Sequence, residues 1–167
     1  MKRSLLSLTL IFLLSHAFSQ EQYIKLPNTT HNCPTFLIEE DIIANQKTLG
    51  TKEAWEEASV LKIKANRKEH KFFNLTENGI AFFKLKKKTP YKTQAELNQF
   101  FGMANDKPVY VNGYLLESND YKIATESIIE IELIEPTSIN KLEGKVINVW
   151  TLTREEREHG CHEQNLN

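Results

Sequence analysis

Short segments in which apolar and polar residues alternate dominate the second half of this chain, and they constrain its fold more than any other feature. In residues 128–134, isoleucine and leucine alternate with glutamate, and the pattern of residues 145–152 predicts another strand. A period of two places successive side chains on opposite faces of a β-strand. The pair Asn112 and Gly113 predicts a tight hairpin turn between two more short strands. A small β-sheet is therefore expected here.

Helix-start signals lie between these strands. Thr51 precedes a segment with acidic residues in its first turn, which predicts a helix from Lys52. Thr93 and Glu96 have the spacing of a capping box, which predicts a second helix. A single helical turn is predicted for residues 118–124. Two further strands are predicted at residues 59–67 and 80–85.

These elements predict an α+β fold, namely a small mixed β-sheet with one or two packed helices in the order β-α-β-β-α-β-β. An irregular or helical N-terminal segment precedes the sheet. The predicted organisation has four parts: a leader at residues 1–19, a loosely packed lead-in at 20–50, the α/β domain at 51–154, and a charged tail at 155–167.

The first 19 residues have the pattern of a cleavable secretory signal peptide. Lys2 and Arg3 supply its positive end, and the apolar run at residues 5–14 is too short to span a bilayer. Ala17 and Ser19 are the small residues that a signal peptidase requires, so cleavage is expected after Ser19. An uncleaved anchor helix is the less favoured alternative. Export to the periplasm or beyond the cell is therefore expected.

Charge argues against a nucleic-acid partner. The chain has a formal net charge of −1, and loss of Lys2 and Arg3 with the leader changes this to −3. Nucleic-acid binding requires a concentration of positive charge. After the leader, no apolar run reaches the length of a membrane span.

The two cysteines leave three alternatives open. Cys33 and Cys161 stand near the two ends of the processed chain, and oxidising compartments favour a disulfide between them. Free thiols are the second alternative. Zinc or copper is the third, because histidines flank both cysteines, although the spacing matches no standard finger. The metal alternative would use His31, Cys33, His159, Cys161 and His162.

Three blocks in the second half resemble a known family. Residues 107–113, 127–134 and 145–154 are similar to the hairpin "P-L-Y-V-x-D-G", the strand "I-E-S-I-E-V-L-K" and the strand "G-V-I-x-I-T-T-K" of the plug domain in TonB-dependent outer-membrane receptors of Bacteroidetes type. Asn112 stands where the family has aspartate, and Leu152 falls inside the family's threonine pair. The resemblance implies a free-standing plug-like module, since a receptor barrel needs several hundred further residues.

Catalytic signatures are missing from the sequence. It contains no nucleophile elbow, zinc-protease helix or glycine-rich phosphate loop. Glu130, Glu132 and Glu135 could supply paired carboxylates, but solvent-facing strand positions explain them better.

The sequence thus predicts a non-enzymatic binding module of the bacterial cell envelope, with a protein partner and no cofactor. A small metal-binding periplasmic protein is the alternative, and a hydrolase with an unrecognised site is a third hypothesis. Asn112 and Gly113 are expected to form a structural turn.

Overall fold

The computed structural model describes residues 22–61 and 72–161. The predicted leader, the end of the strand predicted at residues 59–67, and His162 lie outside these ranges. Within them, the chain is a mixed α+β protein of two β-sheets with ten strands and three short helices, which confirms the predicted fold class.

The first sheet has six strands. They are β1 Thr35–Ile38, β2 Ile42–Ala44, β3 Trp55–Leu61, β4 Ile80–Leu85, β5 Tyr91–Thr93 and β8 Lys122–Ala124. Their order in the sheet is β3-β4-β1-β2-β8-β5. Strand β1 pairs parallel to β4 and antiparallel to β2, and β2 pairs parallel to β8. The two outer strands, β3 and β5, pair antiparallel to their neighbours.

The second sheet has four strands and contains all three blocks of the family resemblance. The strands are β6 Val109–Val111, β7 Tyr114–Leu115, β9 Glu130–Ile134 and β10 Val146–Trp150. Their order is β7-β6-β10-β9, in which β6 and β10 are parallel and the other pairs are antiparallel. The strands predicted at residues 128–134 and 145–152 and the predicted hairpin are confirmed.

The main core lies between the two sheets. Alternate residues of the first sheet, such as Leu37 and Ile43, pack in one cluster with Val111, Ile147 and Val149 of the second sheet. The intervening residues of the first sheet form a second cluster on its other face. Burial of this apolar surface is the main force that stabilises both layers.

The three helices are short: α1 Gln46–Leu49, α2 Gln94–Phe100 and α3 Arg154–His159. In α2 the predicted capping box is present, because Thr93 Oγ1 accepts from the amide of Glu96 while the Glu96 carboxylate accepts from the amide of Thr93. The helix is therefore confirmed. Helix α3 begins at an equivalent box on Thr153 and occupies the start of the predicted charged tail.

The helix predicted from Lys52 is wrong. A single 3-10 turn at Lys52–Ala54 leads directly into β3. The ring of Trp55 packs against Phe83 at 4.9 Å between centroids, and its indole nitrogen donates to the carbonyl of Leu49 at 2.8 Å. These contacts and the pairing with β4 connect residues distant in sequence, so they outweigh the local helix signal.

Two further expectations are corrected. The lead-in is not loosely packed, since Leu37 of β1 and Ile43 of β2 are fully buried in the first sheet. The helical turn predicted at residues 118–124 ends instead in β8, because Lys122–Ala124 fill the place between β2 and β5. Both segments owe their extended form to neighbours elsewhere in the chain.

Candidate functional site

The disulfide between Cys33 and Cys161 is present. The two sulfurs lie 2.03 Å apart and the Cα atoms 4.9 Å apart. The bond fastens the end of α3 to the segment before β1, and the amide of Cys161 also donates to Asn32 Oδ1 at 3.0 Å. The free-thiol alternative is therefore wrong, and both sulfurs are occupied.

His31, two residues before Cys33, is buried with both ring nitrogens engaged. Nδ1 accepts from the amide of Cys33 at 3.3 Å, so Nε2 carries the proton and donates to the carbonyl of Asn112 at 2.8 Å. Burial lowers the pKa of His31, which favours the neutral ring. The ring therefore joins the start of the chain to the hairpin.

Among the proposed metal ligands that the structure describes, Cys33 and Cys161 are joined to each other, and His31 beside them has both ring nitrogens bound to backbone groups. His159 is exposed at the end of α3, and His162 lies outside the described residues. Among residues 22–61 and 72–161, no three histidine, cysteine or acidic side chains form a group suited to a metal ion.

Asn112 and Gly113 form the turn of the β6–β7 hairpin, both with positive φ angles, of 52° and 87°. The Asn112 side chain accepts from the amide of Thr151 and donates to its hydroxyl, each at 2.8 Å. The amide of Gly113 donates to Asn148 Oδ1 at 2.9 Å. The turn is thereby fixed to β10 by buried hydrogen bonds.

A polar cluster that sequence reasoning missed joins the N-terminal segment to the same hairpin. Glu77 accepts from Lys25 Nζ at 2.7 Å and from the hydroxyl of Tyr114 at 2.5 Å. Although burial opposes it, these bonds lower the pKa of Glu77. Burial, together with the bond to Glu77, raises the pKa of Tyr114. The cluster pairs its charges internally, and only the fold brings Lys25 and Glu77 together.

The two edges of the four-stranded sheet differ. Strand β7 is covered by the N-terminal segment, because the amide of Leu115 donates to the carbonyl of Ile24 and the amide of Leu26 donates to the carbonyl of Gly113. Strand β9 pairs with β10 on one side, and no described strand lies on its other side. It is thus an open edge that carries backbone donors and acceptors.

Apolar and acidic side chains line this open edge. Ile129 is 46 % exposed and Leu133 is 40 % exposed. Glu130 forms an ion pair with Arg157 of α3 at 2.6 Å, and Arg157 also lies over the ring of Trp150 at 4.5 Å. The C-terminal helix therefore anchors one end of β9 and leaves the rest of its edge uncovered by described residues.

The three acidic residues Glu130, Glu132 and Glu135 each have a separate partner. Glu130 is bound to Arg157, and Glu135 forms an ion pair with Lys145 at 2.6 Å. Glu132 contacts Asn148 Nδ2 at 3.5 Å. Two of the three carboxylates are thus neutralised by partners of their own.

Two grooves flank these features. A groove of about 410 Å³ runs over the outer face of the second sheet beside β9, where Glu132, Ile134, Ile139 and Trp150 line it. A larger one of about 620 Å³ lies at the disulfide end. Its amide side chains mainly hold the fold: Asn32 binds Cys161, Asn112 binds Thr151, and Asn45 caps α1. The smaller groove is therefore the one that adjoins an open strand.

No protein-family model matches this chain, and no curated protein or solved structure matches it significantly. In the part of the chain that the structure describes, no helix combines the length and apolarity of a bilayer span. The functional assignment therefore depends on the geometry above.

Proposed function

We propose that this protein is an exported, non-enzymatic interaction module of the bacterial cell envelope, and that it binds another polypeptide through strand β9. The observation that carries the proposal is the open β9 edge, where no strand among the described residues pairs with the outer backbone groups and where Ile129 and Leu133 are exposed. An extended segment can add to such an edge, with main-chain hydrogen bonds giving affinity and side-chain contacts giving specificity.

Export is supported by two independent features. The leader pattern at residues 1–19 directs a chain out of the cytoplasm, and the Cys33–Cys161 disulfide persists in oxidising compartments. The similarity of residues 107–154 to receptor plug domains supports a bacterial envelope setting. In this proposal the module acts as a free-standing plug-like domain.

A binding role also agrees with the polar chemistry of the described residues. The ionisable groups near the hairpin are engaged with one another, as Lys25 is with Glu77. The metal-binding alternative would require reduction of the disulfide and release of one of the two His31 ring nitrogens from its backbone partner. No contact among the described residues favours metal binding over binding at β9.

The test is capture from envelope extract with two matched variants of the full chain. In Leu133→Lys a charge is placed on the open edge, which discourages strand addition. In Phe100→Lys the same residue type replaces another exposed apolar side chain, 81 % exposed on α2. The proposal expects a specific polypeptide to be retained by the wild type and by Phe100→Lys and lost with Leu133→Lys.

Circular dichroism and thermal unfolding establish that both variants keep the native fold. Equal retention of the same polypeptides by the two variants would refute binding at β9. Recovery of nothing above background by the wild type would refute the interaction role itself.

A further inference from the structure

We infer that the partner segment at β9 alternates apolar and cationic side chains; this inference rests on the proposed function and specifies the chemistry of the partner. The two faces of β9 differ in kind, and a strand added beside it would continue both faces. Each face therefore selects one set of side chains on the partner.

On the core-facing side of β9, the partner strand needs apolar side chains. Ile131 is paired with Val149, and Leu133 is paired with Ile147, both of which belong to the main core. Leu133 is 40 % exposed, although its neighbour Ile147 is fully buried. The core therefore reaches β9 and stops there with apolar surface uncovered by described residues. Apolar side chains on an added strand would extend it.

The outer face of β9 favours positive charge. Here Glu130, Glu132 and Ile134 lie opposite Trp150, Asn148 and Val146 of β10. Arg157 already neutralises Glu130, whereas no cation among the described residues forms an ion pair with Glu132. A lysine or arginine on the added strand, beside Glu132, would form a cross-strand pair of opposite charge.

The groove beside Glu132 also fits a long cationic side chain. Ile134 lies in its wall, and so does Ile139, which is 76 % exposed. The methylene stem of lysine or arginine packs on apolar surface while its charged end stays near water and acid. The groove thus places an apolar wall beside the carboxylate of Glu132, which suits the apolar stem and charged end of a lysine or arginine side chain.

In the antiparallel register that pairs the whole of β9, the same charges disfavour a second copy of this chain as the occupant. Antiparallel pairing that uses all five residues of β9 in both copies is centred on Glu132 and places two Glu132 carboxylates directly opposite each other. Pairing centred on Ile131 places Glu130 of one copy opposite Glu132 of the other. Like charges directly opposite each other destabilise a strand pair. A different polypeptide with basic residues avoids this repulsion.

Two synthetic peptides of eight residues, blocked at both ends, test the inference against the full processed chain. One alternates valine with lysine and the other alternates valine with glutamate, and fluorescence anisotropy measures the dissociation constants. We expect the lysine peptide to bind at least about tenfold more tightly, which corresponds to about 1.4 kcal/mol. The preference should weaken as salt is raised.

Charge reversal at the proposed contact supplies the second arm. Glu132→Lys should reverse the preference toward the glutamate peptide. Asp106→Lys makes the same change of charge at an exposed loop position before β6 and should leave the preference as in the wild type. If both variants alter binding equally, the attraction is one of net charge and the specific contact is refuted.

The remaining outcomes separate this inference from the proposed function. If both peptides bind equally and Leu133→Lys abolishes the binding of both, strand addition at β9 is supported and the inferred selection by charge is wrong. If neither peptide binds, the inferred partner chemistry is wrong, while the capture experiment decides the proposed function independently. A dimer in sedimentation that Leu133→Lys dissociates would overturn the choice of occupant.

Discussion

Breaking the Cys33–Cys161 bond chemically should reduce the free energy of unfolding by about 5 kcal/mol. The two cysteines are 128 residues apart in sequence, so the bond closes a loop that spans most of the chain. In the chain-entropy model a closed loop of this length removes about 4.9 kcal/mol of conformational freedom from the unfolded state at 25 °C. Total stabilities of domains are about 5–15 kcal/mol, so the loss is large.

The folded state should survive reduction, because other contacts hold α3 in place. Arg157 remains paired with Glu130, and the capping box on Thr153 needs no disulfide. The amide of Cys161 also keeps its bond to Asn32. The effect therefore acts mainly through the unfolded chain.

Urea unfolding, followed by the fluorescence of Trp55 and Trp150, measures the change with and without a phosphine reductant. We expect a lower midpoint and a larger m-value after reduction, since the unlinked chain exposes more surface on unfolding. Cys161→Ala should match the reduced wild type and should not respond to reductant. A loss below about 1 kcal/mol, or an unchanged m-value, would refute the view that the link acts by restricting the unfolded chain.

Three further changes probe the structure around the hairpin. Asn112→Ala should lower the free energy of unfolding by about 2–3 kcal/mol, because it leaves the buried amide of Thr151 without an acceptor. Asn112→Asp keeps an acceptor and should lower the free energy of unfolding less. Equal urea midpoints for the two variants would contradict this prediction. Gly113→Ala should lower the free energy of unfolding by at least about 1 kcal/mol more than Gly79→Ala does. Both glycines have φ near +90°, but only at Gly113 would the new Cβ collide with the hydroxyl of Thr29. Equal losses of stability on thermal unfolding would contradict this prediction. Burial lowers the pKa of His31 below 6.5, so this residue contributes stability that is present above that pH and is lost as pH falls through the folded pKa. Urea midpoints from pH 7.5 to 4.5 should therefore fall less steeply in His31→Gln than in the wild type, and parallel curves would rule out this role.

Several elements follow from neighbouring residues alone. The capping box at Thr93 and Glu96 starts α2 as expected, because both hydrogen bonds join residues three positions apart. The turn at Asn112 and Gly113 is equally local, since these residue types adopt positive φ at low cost. The alternation in β9 correctly predicted which residues share a face of the strand, because a period of two is also a local property.

The candidate site depends both on the sequence pattern of β9 and on the place of β9 in the folded sheet. Sequence alternation identified Ile131 and Leu133 as one face of a strand and the acids as the other. It could not indicate that β9 lies at the edge of its sheet, or that the N-terminal segment covers the opposite edge at β7. Strand order is a property of long-range pairing, which no local pattern encodes.

The sequence by itself determined the fold class, the hairpin, the main helix start and the alternating faces, because each arises from contacts within a few residues. Only the tertiary structure decided that the segment after Thr51 forms a strand, that residues 35–44 enter the core, and that Cys33 meets Cys161. The physical reason is that burial and cross-strand hydrogen bonds join distant segments, and their combined free energy exceeds the small local preferences that a sequence displays.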